Sequence, residues 1–377
     1  MNQTVFLSEG RINILELAPG GPAIRTLTCM VAEKYRARIR EINLRKEWKQ
    51  SGTGAQFAGT YQLNEPVLDI RTPIAGLSKG VDERLIYSIN FETGGGIYYK
   101  HPNNEDSETH IRADAAVRFY ELDVNSLGCI AVSCAENYAE RHIALIQPDN
   151  NSYQIITEGE CSDCNPKWSL KDENVLYYDS AGIGYGNTGY MSGLGPRSIY
   201  RINTKTGELD EVLPGDKYEY SHPFEDKEGN LYFIRRPYTT KSGMSIIDYL
   251  TAPFKILRAI GGWLDFFSRR YTGESLKTSG ANPAKANTKS PQQIFIDGNL
   301  IEAEKNLKKN ASDKNPGYAP RDWELVVMAP GGEEKVLHKS VMSYCVTQEG
   351  IIYSNGKYII ANDNAVKVHL AQNLYPM

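Results

Sequence analysis

A polar turn followed by a short apolar strand recurs along this 377-residue chain. Residues 162–180 (SDCNPKWSLKDENVLYYDS) and 220–237 (YSHPFEDKEGNLYFIRRP) both contain a proline, an aromatic residue, a charged turn and then a hydrophobic strand. Three further segments share this turn and strand: 78–92, 123–136 and 346–358. Equivalent strand positions lie about 50 residues apart until a long insertion separates the last two. They are Ile86, Ile130, Leu176, Leu231 and Ile352.

Each of these strands belongs to a larger unit, because a hairpin with a turn rich in Gly, Asn or Asp lies close to it in the sequence. The hairpins are residues 96–113, 141–159, 198–215 and 323–340. A repeat of this length made of four short antiparallel strands indicates one blade of a β-propeller. We therefore predict an all-β fold with six four-stranded blades, seven being the alternative.

The two ends of the chain are predicted to close the ring. Residues 4–27 form a blade that lacks its innermost strand, and residues 340–371 complete the ring beside it. A blade built from both ends leaves no unpaired strand edge at the closure. We therefore treat residues 1–377 as a single propeller domain with two insertions.

Composition excludes several classes of protein. The formal net charge of −4 argues against a general nucleic-acid surface, which would be basic. No apolar run approaches the length of a transmembrane helix, and the first residues lack the features of a secretion signal. Six cysteines in so long a chain do not form a disulfide scaffold. We expect reduced thiols and a cytoplasmic protein.

The repeat also resembles a known family. Residues 164–182 (CNPKWSLKDENVLYYDSAG), followed by 198–213 (SIYRINTKTGELDEVL), are similar to the repeat of TolB-like and WD40-like propellers, which also forms the propeller of prolyl-oligopeptidase-type peptidases. TolB carries an extra N-terminal domain and a signal, for which this chain has no room. The peptidases carry a hydrolase domain with a G-x-S-x-G elbow, and no such pentapeptide occurs here. The resemblance implies a lone propeller, a fold that commonly serves as a binding platform.

The first insertion, residues 29–59, lies between the first two blades. It is charge-rich in its first half and closes with GTGAQFAG. We predict a short helix or a long strand followed by a glycine-rich loop. Its arginines and lysines could meet an acidic partner, but interspersed glutamates favour pairing within the segment.

The second insertion, residues 241–321, interrupts the fifth blade. Large apolar residues recur at helical spacing over 244–270, so we predict an amphipathic helix there, interrupted at Pro253 and at Gly261–Gly262. Residues 274–292 are rich in Ser, Lys, Asn and Pro and are predicted to form a loop without regular structure.

The apolar stripe of this helix is a candidate interaction surface. Its members are Phe254, Leu257, Ile260, Trp263, Phe266 and Phe267. Three interpretations remain open: the stripe docks on the propeller itself, binds a protein partner, or lies on a membrane surface through its aromatic residues and flanking arginines. Docking on the propeller is favoured because it requires no second molecule.

No metal or cofactor is predicted. Cys161 and Cys164 would need two more ligands to hold zinc, and no pair of histidines has metal-binding spacing. Cys129 and Cys134 are five residues apart on one predicted strand, which places their side chains on opposite faces. The glycine-rich stretch GYGNTG (184–189) is followed by a strand, whereas a dinucleotide site requires a helix there.

The predicted central channel supplies the remaining candidate site. The six histidines are scattered, and no pairing of nucleophile and base emerges, so no catalytic residue is assigned. Inner strands line the channel of a propeller, and four polar residues fall on predicted inner strands: Asp163, Asn165, His222 and Glu225. Polar groups that converge at the channel mouth could bind a small molecule or an ion.

The leading functional hypothesis is a non-catalytic propeller that acts as a protein-interaction platform. The first alternative is a ligand-binding or enzymatic propeller whose site lies at one mouth of the channel. The second is a membrane-peripheral adaptor that is attached through residues 244–270. The partner is expected to be a protein, and the sequence does not identify it.

Overall fold

The computed structural model describes residues 2–18, 21–47, 74–92, 94–104, 107–136, 140–148, 153–185, 191–238, 293–296, 299–362 and 364–377. It divides into two compact units, one formed by Met1–Pro237 with Ala303–Met377 and the other by Tyr238–Glu302. The first unit contains six four-stranded antiparallel arrangements, which are the six blades of a β-propeller. The predicted all-β propeller of six blades is thus confirmed.

The blades follow one another along the chain. The first contains β1 (Asn2–Ser8), β2 (Arg11–Ala18) and β3 (Gly21–Thr26), and the second contains β4 (Ile74–Lys79), β5 (Leu85–Asn90), β6 (Gly95–Lys100) and β7 (Thr109–Asp114). The third contains β8 (Arg118–Val124), β9 (Ile130–Ala135), β10 (His142–Ile146) and β11 (Tyr153–Ile155). The fourth contains β12 (Cys161–Trp168), β13 (Val175–Tyr185), β14 (Met191–Leu194), β15 (Ser198–Asn203) and β16 (Leu209–Leu213), with β14 paired to an extension of β13.

An insertion separates the strands of the fifth blade. This blade contains β17 (Tyr218–Glu225), β18 (Leu231–Pro237), β21 (Glu324–Met328) and β22 (Glu334–Lys339). Strands β18 and β21 are neighbours in the sheet although the second unit lies between them in the sequence. The sixth blade contains β23 (Ser343–Thr347), β24 (Gly350–Ser354), β25 (Tyr358–Ala361) and β26 (Asn364–Lys367).

The two ends of the chain share the first blade. The last strand, β27 (Gln372–Pro376), pairs antiparallel with β1 and becomes the innermost strand of that sheet. Val5 and Phe6 of β1 are fully buried, which anchors the N-terminal strands in two adjacent cores. The chain therefore closes through a clasp, because strands from both termini complete one sheet.

The repeat found in the sequence corresponds to one position in each blade. Ile86, Ile130, Leu176, Leu231 and Ile352 all lie in the second strand of their blades. Successive side chains alternate between the faces of a strand, so each blade contributes to two cores. Around β9, Cys129 packs with Ile143 and Trp168 on one side, while Cys134 packs with Ile97 and Phe119 on the other.

The two α-helices among the described residues lie in the two insertions, and a short 3-10 helix (Val81–Glu83) lies between β4 and β5. Helix α1 (Met30–Glu47) follows the first blade, and the carboxylate of Glu108 accepts hydrogen bonds from the backbone N–H groups of Met30 and Val31 at 2.8 and 2.9 Å. These bonds satisfy two of the free N–H groups at the start of the helix. The rest of the first insertion lies outside the described residues.

The long helix that the sequence predicts at 244–270 also lies outside the described residues. The longest described helix is instead α1, with 18 residues in the first insertion, whereas the fifth-blade insertion contributes α2 (Ala303–Lys309), with 7 residues. The described part of the second unit is a hairpin of β19 (Gln293–Ile296) and β20 (Asn299–Glu302). Among the described residues, no helix is long and apolar enough to cross a membrane.

Candidate functional site

A cavity of about 610 Å³ lies at one end of the central channel. All six innermost strands (β4, β8, β12, β17, β23 and β27) contribute residues to its wall. The volume is in the range of sites that bind small molecules or protruding side chains. We call this cavity the channel-mouth cavity.

Bulges in the innermost strands shape the wall. The strand register shifts in five of these strands, and three of the shifts include a residue with positive φ. These residues are Asn165 (φ 50°), His222 (φ 55°) and Asn373 (φ 48°). In Asn165–Pro166 and His222–Pro223 the residue after the positive φ is a proline, which cannot donate to the ladder. The bulges therefore change which side chains face the channel.

Three ionisable side chains from different blades meet beside the cavity. The ammonium group of Lys167 lies 3.0 Å from Oδ1 of Asp123, and it also donates to the hydroxyl of Tyr375. The carboxylate of Asp123 further accepts from Ser78 Oγ at 3.1 Å and from the backbone N–H of Trp168 at 2.9 Å. This network, the Lys167 cluster, joins β4, β8, β12 and β27.

Burial changes the titration of this cluster. Desolvation lowers the pKa of Lys167, although the neighbouring Asp123 carboxylate opposes that shift. Desolvation and the same carboxylate raise the pKa of Tyr375 well above its usual range. Burial raises the pKa of the nearby Cys345 thiol to about 12. The Lys167 side chain is nevertheless 25 % exposed, so part of its surface faces the cavity.

Apolar side chains form most of the remaining wall. Trp168, Phe224 and Val346 line the cavity, and Leu170 at its edge is 53 % exposed. Three lysines stand at the rim: Lys79, Lys171 and Lys227. Within the described part of the chain, none of these three has an ion pair. Glu173 also lines the rim, and the described residues show no ion pair for it either, so the rim of this cavity has more lysines than carboxylates without an ion pair.

Two of the four predicted channel residues line this cavity. Asn165 donates from its amide to Oδ2 of Asp179 at 2.7 Å, and the backbone N–H of His222 donates to the same oxygen at 3.0 Å. Asp179 is fully buried and forms a 2.7 Å ion pair with Arg197. The carbonyl of His222 accepts from the hydroxyl of Tyr344 at 2.7 Å.

The other two predicted channel residues lie elsewhere. Asp163 is 2 % exposed and accepts a 2.6 Å hydrogen bond from Thr157, near the start of β12. Glu225 accepts from Ser169 and faces a separate surface depression. The predicted stripe (Phe254, Leu257, Ile260, Trp263, Phe266 and Phe267) lies outside the described residues, and its role stays a prediction.

Sequence reasoning did not identify the Lys167 cluster. Lys167 lies within the repeat segment 162–180, but Asp123 and Tyr375 belong to other blades. A pattern along one strand does not specify which side chains of other strands meet it. The sequence offered only a weak signal for this cluster, namely a charged residue next to an aromatic one on a predicted innermost strand.

A second group of polar side chains lies at the other end of β12. His142, Cys161 and Asp163 each offer one possible ligand atom, and these atoms lie within 4.8 Å of one another. This group is distinct from the channel-mouth cavity, whose β12 residues begin at Asn165.

Comparison with known proteins supports the fold. No protein-family model matches the sequence, and no curated protein matches it. TolB from Acinetobacter baumannii aligns with a TM-score of 0.50 at 10% identity, over 100% of this chain and 66% of the TolB chain. A nidogen–laminin complex structure aligns with a TM-score of 0.49 at 10% identity, over 100% of this chain and 98% of that chain. This chain thus spans 66% of the TolB chain's length, and its fold is that of a TolB-like six-bladed propeller.

Proposed function

We propose that this protein is a non-catalytic binding propeller that holds an acidic segment of a partner protein in the channel-mouth cavity. The observation that carries the proposal is the combination of a cavity of about 610 Å³, an apolar wall and a rim with three lysines for which the described residues show no ion pair. Apolar walls with a few placed charges are typical of recognition sites.

The charge of the rim supports an anionic occupant. The whole chain has a net charge of −4, whereas three lysines stand together at this opening. Field lines concentrate in such a cleft and attract a group of opposite charge. An aspartate, a glutamate or a terminal carboxylate of the partner would meet Lys79, Lys171 or Lys227.

The apolar wall supports insertion of a side chain. Leu170 is exposed at the edge of the cavity, and Trp168 and Phe224 line it. Covering such a surface removes apolar area from water, which is worth about 25 cal/mol per Å². A segment with one apolar and one acidic side chain would match both features of the site.

The Lys167 cluster favours binding over chemistry. Its ammonium, carboxylate and hydroxyl groups are hydrogen-bonded to one another. A general base or nucleophile must instead reach a reacting atom of a substrate. The cluster is therefore assigned to the wall of the site, where it holds four blades together.

A small anionic ligand is the second candidate. The specific observation in its favour is that Lys167 is 25 % exposed towards a cavity whose volume suits such a ligand. The two candidates differ at the rim: a peptide needs Leu170 and the rim lysines, whereas a small ligand needs Lys167.

Selection from a displayed library of random peptides tests the proposal. The intact protein should enrich acidic sequences that contain an apolar residue. A variant with Lys79, Lys171 and Lys227 changed to Glu should lose this enrichment. Equal enrichment by both proteins, or none by the intact protein, would contradict the proposal. Saturable binding of a small carboxylate that competes with no peptide would favour the second candidate.

A further inference from the structure

An isolated parallel bridge connects the third and fourth blades, between the residue that precedes β10 and the second residue of β12. Arg141 lies opposite Ser162 in this bridge. The N–H of Arg141 donates to the carbonyl of Cys161 at 3.1 Å, and the N–H of Asp163 donates to the carbonyl of Arg141 at 3.0 Å. The bridge therefore fixes the register between His142 and the first residues of β12.

Alternation of side chains then places three donor groups on one face. Cys161 and Asp163 are two residues apart on one strand and point the same way. The side chain of Arg141 lies on the same face as that of its bridge partner Ser162. The side chain of the next residue, His142, therefore lies on the face of Cys161 and Asp163. In the structure, one nitrogen, one sulfur and one oxygen of these residues lie within 4.8 Å of one another.

The surroundings orient two of these groups. Thr157 Oγ1 donates to Oδ2 of Asp163 at 2.6 Å and accepts from the N–H of Ile143 at 2.8 Å, which fixes the carboxylate. Among the described residues, Nδ1 of His142 is buried and has no hydrogen-bond partner. A buried ring nitrogen without a partner is costly unless something binds to it.

We propose that His142, Cys161 and Asp163 form a site for a divalent transition-metal ion of the zinc type. An imidazole nitrogen, a thiolate and a carboxylate are ligands that Zn²⁺ accepts together, and three protein ligands leave a fourth position for water. This site is independent of the peptide-binding function proposed above. It differs from the Cys161–Cys164 pair considered from sequence, because Cys164 faces the guanidinium of Arg141.

The local chemistry is consistent with a cation. Cys161 is half-buried, so an ion can reach it from solvent. Binding replaces the thiol proton with a metal–sulfur bond and releases that proton to solvent.

Titration of the untagged, full-length protein with Co²⁺ tests the site directly. Co²⁺ replaces Zn²⁺ in such sites and gives a charge-transfer absorption band when a thiolate binds it. We expect this band to saturate at one Co²⁺ per chain and to disappear when one equivalent of Zn²⁺ is added. An absence of the band, and of stoichiometric Zn²⁺ after equilibrium dialysis, would overturn the proposal without any variant.

Substitutions identify the ligands. Cys161→Ser should abolish the band, and Cys164→Ser, the matched control in the same segment, should retain it. Thr157→Val should weaken Zn²⁺ affinity by about 10- to 100-fold, because it removes the hydrogen bond that orients Asp163. Melting curves of each variant would establish that it is folded. A band that persists in Cys161→Ser, or is lost in Cys164→Ser, would contradict the assignment.

Discussion

The hydroxyl of Tyr375 lies 3.1 Å from Oδ1 of Asp123. Tyr375 belongs to β27, which closes the first blade, whereas Asp123 belongs to β8 of the third blade. The same hydroxyl lies 3.2 Å from the carbonyl oxygen of Leu122. The C-terminal strand is therefore tied across the second blade's innermost strand, and closure of the ring and the wall of the candidate site depend on the same contacts.

Removing the charge of Asp123 should strongly destabilise the fold. Asp123→Asn leaves the buried ammonium of Lys167 without its carboxylate, and breaking a buried ion pair costs about 3–5 kcal/mol. We expect the lower end of that range, because the Lys167 side chain is 25 % exposed to the cavity. Urea unfolding of the single and double variants with Lys167→Met would measure the interaction. A coupling energy near zero would contradict the assigned role of the pair.

The clasp gives a second prediction. Deleting residues 372–377 removes the innermost strand of the first blade and exposes the buried edge of β1. The truncated protein should lose its single cooperative unfolding transition, as should a protein that lacks residues 1–28. Leu374→Asp places a charge at a position that is only 3% exposed, so this substitution should also destabilise the fold of the full-length chain. A truncated protein that melts like the full chain would exclude the clasp.

Much of this architecture could be predicted from sequence because each blade repeats the same local pattern. A turn rich in polar residues, followed by apolar alternation, marks the second strand at Leu176 and Leu231 without knowledge of other blades. The clasp could also be predicted, since residues 4–27 offer three strands where the other blades have four. The predicted number of blades followed from the repeated pattern and from the blade that both ends of the chain share.

The ion pair between Asp179 and Arg197 gives a third prediction. Asp179 is fully buried, lies 2.7 Å from Arg197 and also accepts from Asn165 and His222. Asp179→Ala removes the carboxylate that pairs with the buried guanidinium of Arg197 and should cost about 3–5 kcal/mol.

A matched control for this substitution lies on the same blade. Asp210 pairs with Arg201, and both side chains are exposed. Exposed pairs contribute about 0.2–1 kcal/mol, so Asp210→Ala should have a small effect. Chemical unfolding of both variants makes the comparison, and equal losses of stability would contradict it.

The buried thiols predict loss of stability at alkaline pH. Burial raises the pKa of Cys345 from its ordinary value of 9.0 to about 12, against the opposing effect of the Lys167 cation. Between about pH 9 and about pH 12 the unfolded chain releases the thiol proton while the folded chain retains it, so the free energy of unfolding falls as pH rises. Cys345→Ala lacks this titration.

The measurement is the unfolding free energy of both proteins from about pH 8 to about pH 10. The free energy of unfolding of the wild type, relative to that of Cys345→Ala, should fall above about pH 9 by up to about 1.4 kcal/mol per pH unit. Comparing the two proteins isolates the thiol, because Lys167 and Tyr375 are present in both. A difference that stays constant over this range would show that Cys345 titrates normally in the folded protein.

The candidate site was harder to predict, for a physical reason. A regular strand would place Asp163 and Asn165 on one face, but the register shifts between Cys164 and Lys167, so the strand does not stay regular. Asn165 then lines the channel-mouth cavity, whereas Asp163 hydrogen-bonds to Thr157. Bulges depend on the whole sheet, and the Lys167 cluster joins strands from four blades. The sequence of one repeat therefore predicts neither the bulges nor the Lys167 cluster.

The central claim is that the channel-mouth cavity is the recognition site, and a binding titration tests it most directly. The ligand is an acidic peptide enriched on the intact protein, and the variants are Leu170→Asp and Leu209→Asp. These leucines are 53 % and 52 % exposed, but Leu209 lies on the outermost strand of the fourth blade, away from the cavity. Both variants should melt like the wild type, because neither side chain is buried. We predict that Leu170→Asp loses peptide binding while Leu209→Asp keeps it. Undiminished binding by Leu170→Asp would contradict the account.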